Sequence, residues 1–129
     1  MVKEVKIEEA KRYMEKAESF CMAALDDFDK NRFDVCVFNA SQSIILGNDC
    51  YCIFFLGRRP SKDHSEAIEM HKEASAGKPS KKDVVAVALE KRGIFGYTEK
   101  MASQQEAKLI LTKARRFLDW VMFITGISP

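Results

Sequence analysis

The sequence predicts an all-α fold, an up-and-down bundle of three long and two short helices in a single domain over residues 1–129. Three observations carry that prediction. Apolar residues recur at alternating spacings of three and four along most of the chain, which is the period of a helix face and not of a strand. The breaks in the pattern fall at Gly, Pro, Asn and Ser residues, the types that start and stop helices. A chain of 129 residues, 47% apolar and 31% charged, suffices for one core and is too short for two.

The first helix is written by Ile7, Ala10, Met14, Ala17, Cys21, Ala24 and Phe28, a stripe running about six turns and widened by Tyr13 and Phe20. Asp29, Lys30 and Asn31 break it, and Asn31 is the expected cap of a second helix, with Asp34 in the first turn facing the positive end of the helix dipole. Phe33, Val37, Ala40, Ile44, Gly47, Tyr51 and Phe54 carry the second stripe. Cys36, Ile45, Leu46, Cys50 and Ile53 make its other faces apolar too, the mark of a central helix. Gly57 supplies a left-handed stop and Pro60 follows. Asp63 with Glu66 predicts a capped short helix through Ile68 and Met70 to about Ala74, ended by Gly77 and Pro79. Ser80 with Asp83 opens a fourth helix expected over 81–91. Its Val84, Val85 and Val87 also suit a strand, but nothing else in the chain would pair with one. Gly93 and Gly96 predict a loop. Ser103 and Glu106 form a capping box for the last helix, whose stripe is Ala107, Leu111, Ala114, Leu118 and Val121, flanked by Ile110, Phe117 and Ile124 and ended by Gly126.

Composition excludes several classes. The longest apolar run, near 50–56, falls well short of the roughly 18 residues a membrane span needs. The N-terminal segment alternates charged and apolar residues without a secretory core, so a cytoplasmic protein with no membrane association is expected. Cys21, Cys36, Cys50 and Cys52 sit among apolar residues at helical spacing, as buried free thiols do, and no Cys-x-x-Cys occurs. No phosphate-loop, His-Glu-x-x-His or Glu-x-x-His motif is present, and His64 and His71 lie two turns apart, about 10 Å, which is too far to share one ion easily. No metal and no cofactor are expected.

The net charge of +2 conceals an asymmetry. Residues 1–56 carry 7 basic and 10 acidic side chains, whereas residues 78–116 carry 10 and 4. Such an excess attracts anions, although a solvated basic face would look the same. Two segments concentrate the chemistry. Arg58, Arg59 and His64 fall near a helix N-terminus, where guanidinium groups and free N–H groups together favour phosphate. A histidine and an arginine also suffice for metal-independent RNA cleavage, the imidazole moving the ribose 2′-OH proton and the guanidinium neutralising the phosphate. An ordinary helix connection with solvated arginines is the plain alternative. In the second segment Lys91, Arg92, Phe95 and Tyr97 share a stretch with two glycines, so that it could stack a base and hold its phosphate, or simply plug the end of the bundle. Lys113, Arg115 and Arg116 would extend the basic surface.

The order of these pieces resembles the HEPN family over residues 7–124. The matching parts are Ala17-Glu18-Ser19-Phe20 in the first helix, the small-residue and aromatic second helix ending at Gly57, then Pro60 and His64, Arg92 and Tyr97, and the final helix over 106–121 with Ala114. The resemblance implies a bundle that often dimerises and pairs with a minimal nucleotidyltransferase encoded beside it, as in a toxin–antitoxin-like pair. Many members are ribonucleases using an Arg followed four to six residues later by His, late in the chain. Here that late position offers Arg92 and Tyr97, and a tyrosine with an ordinary pKa near 10 is a poor proton shuttle. No catalytic residue is therefore assigned; the spacing is met by Arg59 with His64 and by Arg58 with His64, in a different connection, and of these only Arg59 and His64 are kept as candidates. The resulting expectation is a homodimeric nucleotide- or RNA-binding module, the non-catalytic partner of a nucleotidyltransferase, binding through Arg58, Arg59, His64, Lys91, Arg92 and Tyr97. The alternatives are a metal-independent endoribonuclease and a pure oligomerisation scaffold.

Overall fold

The structure, a computed structural model, describes residues 2–61 and 64–129, and for residues 2–5 and His64 the backbone only. It is all-α among the described residues: α1 (Val2–Asp29), α2 (Phe33–Leu56), α3 (His64–Ser75), α4 (Lys82–Tyr97) and α5 (Gln104–Thr125). As the apolar faces of the second stripe require, α2 lies at the centre and packs against all four other helices. Small residues let the helices approach: Ala10, Ala17 and Ala24 of α1, Ala40 of α2 and Ala107 and Ala114 of α5 are fully buried. Gly47 is the tightest case, since a Cβ there would stand 2.5 Å from the Leu118 side chain. All four cysteines are free and buried.

Most helix ends fall where the sequence places them. Gly57 and Gly126 take left-handed backbone (φ 75° and 73°) after α2 and α5, and each donates its N–H back to the last turn. Ser103 and Glu106 form the predicted capping box of α5. The Asp63 cap of α3 lies outside the described residues.

Four expectations are corrected. The first helix starts at Val2 and is longer than its apolar stripe. Asn31 does not cap α2. It adopts φ 61°, which asparagine tolerates, and turns the chain so that Arg32 becomes the cap residue without a side-chain cap bond. The α1–α2 hairpin is instead held by Asp27, a buried carboxylate that accepts from Arg32 Nε (2.9 Å) and Asn39 Nδ2 (2.8 Å). The loop expected at Gly93 and Gly96 is helix, because α4 begins at Lys82 and runs on to Tyr97. The reason is tertiary: with no side chain at Gly96 the Phe38 ring fits against α4, 2.6 Å from where a Cβ would sit, and Phe95 is buried beside it. That packing offsets the helix cost of two glycines, about 1 kcal/mol each. Ile124, expected at the edge of the α5 core face, is exposed.

Candidate functional site

One face of α2 opens onto a cavity of about 330 Å³ walled by α1, the segment after α2, α3 and α4. Its lining mixes apolar Ile45, Leu46, Val85 and Leu89 with polar Gln42, Asn48 and Ser61, and charge is concentrated in it: Lys16 from α1, Asp49 from α2, Arg59 from the connection and Arg92 from α4. Two of these were anticipated as anion ligands from sequence. Arg59 and Arg92 lie 33 positions apart in the chain, and the turn at Gly57 together with the packing of α4 on α2 brings them to the same cavity.

Each arginine is oriented by a neutral group. The Arg59 guanidinium lies over the Tyr13 ring, 5.4 Å from its centroid, and Arg92 Nη1 donates to Gln42 Oε1 at 3.1 Å. Neither forms an ion pair among the described residues. At the rim, the Ser61 N–H and hydroxyl both donate to the Glu66 carboxylate, tying the segment after Gly57 to α3.

Asp49 is the unusual member. Its side chain is 7% exposed, yet it makes no hydrogen bond or ion pair among the described residues. Burial pushes its carboxyl up to about 7, and the charges of Arg59 and Arg92 bring it only part of the way back. Buried charges are usually paired. Three conditions for pairing a ligand therefore coexist here: two cations free of carboxylate ion pairs, one carboxylate free of donors, and space between them.

The other candidate residues are placed elsewhere. Arg58 turns away to α3, where its guanidinium meets Glu73 at 3.3 Å and Met70 Sδ at 3.4 Å. Lys91 approaches Glu106 at 3.7 Å beside a separate small groove. Tyr97 is 79% exposed at the end of α4 and lines no part of the cavity. The side chain of His64 lies outside the described residues, so the Arg59–His64 pairing does too. Arg115 is committed to Glu18 and Asp119.

The sequence reading passed over Tyr13, Lys16, Gln42 and Asp49. For Asp49 a signal existed: it is the one charged residue between Val35 and Leu56 in a helix apolar on every side. His71, weighed in the sequence only as a metal ligand beside His64, is fully buried behind this face. Lys81 N–H donates to its Nε2 at 2.9 Å, which fixes the ring proton on Nδ1, and Nδ1 donates to Asn48 Oδ1 at 2.8 Å. Burial holds this imidazole down at about 4, so it is neutral at pH 7. The ring stacks on Tyr51 with centroids 4.7 Å apart. Among the described residues no group of His, Cys, Asp and Glu is arranged to hold a metal ion, and no helix is long and apolar enough to cross a membrane.

Four helices around a central fifth, with a cationic cavity on its open face, define a helical-bundle domain. The chain belongs to the HEPN family, whose domain model matches residues 10–124, and this membership suggests a nucleotide- or RNA-related function. No curated protein matches the chain.

Proposed function

We propose that this HEPN domain binds a nucleotide or a short stretch of RNA in the cavity over α2, with Arg59 and Arg92 taking phosphate. The observation that carries the reading is that both guanidinium groups point to one cavity without a carboxylate partner, so a ligand anion gains charge-assisted hydrogen bonds without first displacing an internal ion pair. At about 330 Å³ the cavity falls at the small end of ligand pockets, roughly 300–1,000 Å³, and suits a single nucleotide unit.

The reading is non-catalytic. Of the two histidines, His71 is held neutral with both ring nitrogens engaged in the core and moves no proton in the cavity, and Asp49, whose carboxyl burial raises to about 7, is read as a contact to the ligand and not as a base. The test is a titration with mononucleotides and unstructured RNA. Arg59→Ala and Arg92→Ala are each expected to weaken binding about tenfold or more, affinity should fall with salt, and the RNA should be recovered intact in EDTA. Arg58→Ala and Lys91→Ala should bind as the parent does. Equal affinities for all four variants would take the site out of this cavity.

Exposed Met22 and Leu25 on α1 flank a groove with Leu111 of α5, and Phe123 is 84% exposed further along α5. This apolar surface supports a homodimer, and sedimentation should find one at about tens of micromolar, a range in which weak dimers persist. A minimal nucleotidyltransferase as protein partner rests on family membership. Co-expression with a nucleotidyltransferase encoded beside this chain, followed by co-purification, tests that part.

A further inference from the structure

The nucleotide reading leaves the contact made by one group unspecified. Asp49 lies deepest among the charged side chains of the cavity, is more than nine-tenths buried and has no hydrogen-bond partner among the described residues, whereas the exposed Arg59 and half-buried Arg92 lie further out. A ligand that fits must present donors at its inner end and an anion at its outer end. A cationic donor such as an amine is disfavoured, because Arg59, Arg92 and Lys16 share the cavity and repel it. A flat heterocycle that carries a phosphate meets both conditions, its edge reaching the carboxylate while the phosphate lies toward the outer guanidinium groups.

Resting on that nucleotide reading, we propose that the cavity selects guanine, the Asp49 carboxylate accepting the adjacent N1–H and N2–H donors of the base while Arg59 and Arg92 hold its phosphate. Two neighbouring donors match the two oxygens of one carboxylate, the geometry that makes bidentate pairs strong. Among the common bases guanine alone carries such a pair. Adenine and cytosine offer one exocyclic amine beside an acceptor that faces the carboxylate, and uracil offers a single N–H between two acceptors.

The experiment titrates the full chain with GMP, IMP, AMP, CMP, UMP and XMP, and repeats the series with Asp49→Asn. GMP should bind about tenfold or more tightly than IMP, which lacks only the N2 amine, with AMP, CMP and UMP weaker still. Asp49→Asn should lose GMP by a similar factor and gain XMP, whose C2 carbonyl accepts from the new amide. A gain of that kind cannot come from misfolding. The trinucleotides UGU and UAU form a further arm: tighter binding of UGU than of GMP makes the ligand a guanine within a strand, and the reverse makes it the free nucleotide. Equal binding of all six mononucleotides by the parent protein, or unchanged GMP affinity in Asp49→Asn, would overturn guanine selection and leave nucleotide binding standing. Absence of binding by every nucleotide would overturn both.

Discussion

Asn48 and Asp49 are neighbours on α2, both buried, at 1% and 7% exposure, and they differ in what surrounds them. Asn48 is satisfied: its carbonyl accepts from His71 Nδ1 and its amide donates to the Ala67 carbonyl at 3.3 Å, while His71 goes on to accept from Lys81 N–H. This chain of bonds ties α2 to α3 and to the start of α4. Asp49, about 100° further round the helix, faces the cavity with no such partner. Buried polar groups that serve the fold are almost always paired. An unpaired one held among unpaired cations points to a ligand, and substitution on the two sides should shift stability in opposite directions.

The largest effect is expected on the satisfied side. His71→Ala removes a fully buried ring, leaves Asn48 Oδ1 only the weak Cys52 thiol donor at 3.8 Å, orphans the Lys81 N–H, and leaves Tyr51 without its stacking partner. Lost packing, one unsatisfied N–H and one weakened acceptor together should cost about 3 kcal/mol, read from urea unfolding at pH 7. The pH profile carries the same information. His71 titrates at about 4 in the folded chain and near 6.5 when unfolded, so the unfolded chain binds the proton more readily. Its stabilising contribution is complete above pH 6.5 and is lost as pH falls toward 4, a loss of about 3 kcal/mol in the parent that His71→Ala should abolish.

Asp49 should behave in the opposite sense. Its folded carboxyl titrates at about 7 against 3.8 unfolded, so here the folded chain holds the proton more tightly. The fold is relieved of the buried charge below pH 3.8 and is progressively penalised as pH rises through 7. Asp49→Asn should therefore stabilise the ligand-free protein by about 2 kcal/mol at pH 8, less than full linkage allows because the amide has unpaired polar atoms of its own. At pH 4 the two proteins should unfold together. A destabilised variant at pH 8 would make Asp49 a structural counterion of Arg59 and Arg92, and the contrast with Asn48 would disappear.

What the sequence revealed follows the range of the interactions involved. The helices were legible because their signals are local: the stripe from Ala10 to Ala24, the glycines after α2 and α5, and the Ser103–Glu106 box. The extension of α4 through Gly93 and Gly96 was not, because it depends on the Phe38 ring, nearly sixty positions away in the chain. In the cavity, Arg59 and Arg92 were visible as cations close to helix ends. Their meeting was not, nor were the contributions of Tyr13 and Lys16, which lie on the polar flank of the α1 stripe and come near only when α1 folds back on α2. Asp49 was legible in principle as a lone charge in an apolar helix.

The smallest expected effect separates Arg58 from Arg59, adjacent residues that sequence alone could not rank. Gly57 ends α2 in left-handed backbone, and the two side chains that follow diverge, Arg58 to Glu73 on α3 and Arg59 over Tyr13 at the cavity. The Arg58–Glu73 pair is more than half exposed on both partners at 3.3 Å. Exposed pairs of this kind gain little Coulomb energy in water and require two long side chains to be ordered, so they contribute between zero and about 1 kcal/mol. Arg58→Ala should accordingly change unfolding stability by less than about 0.5 kcal/mol, a change that shrinks in high salt, and should leave nucleotide affinity as it was. Arg59→Ala should show the reverse, with little change in stability and a binding loss about tenfold or more. Comparable binding losses from both substitutions would mean that the ligand reaches across Pro60 toward α3 and that the recognition surface is wider than the cavity over α2.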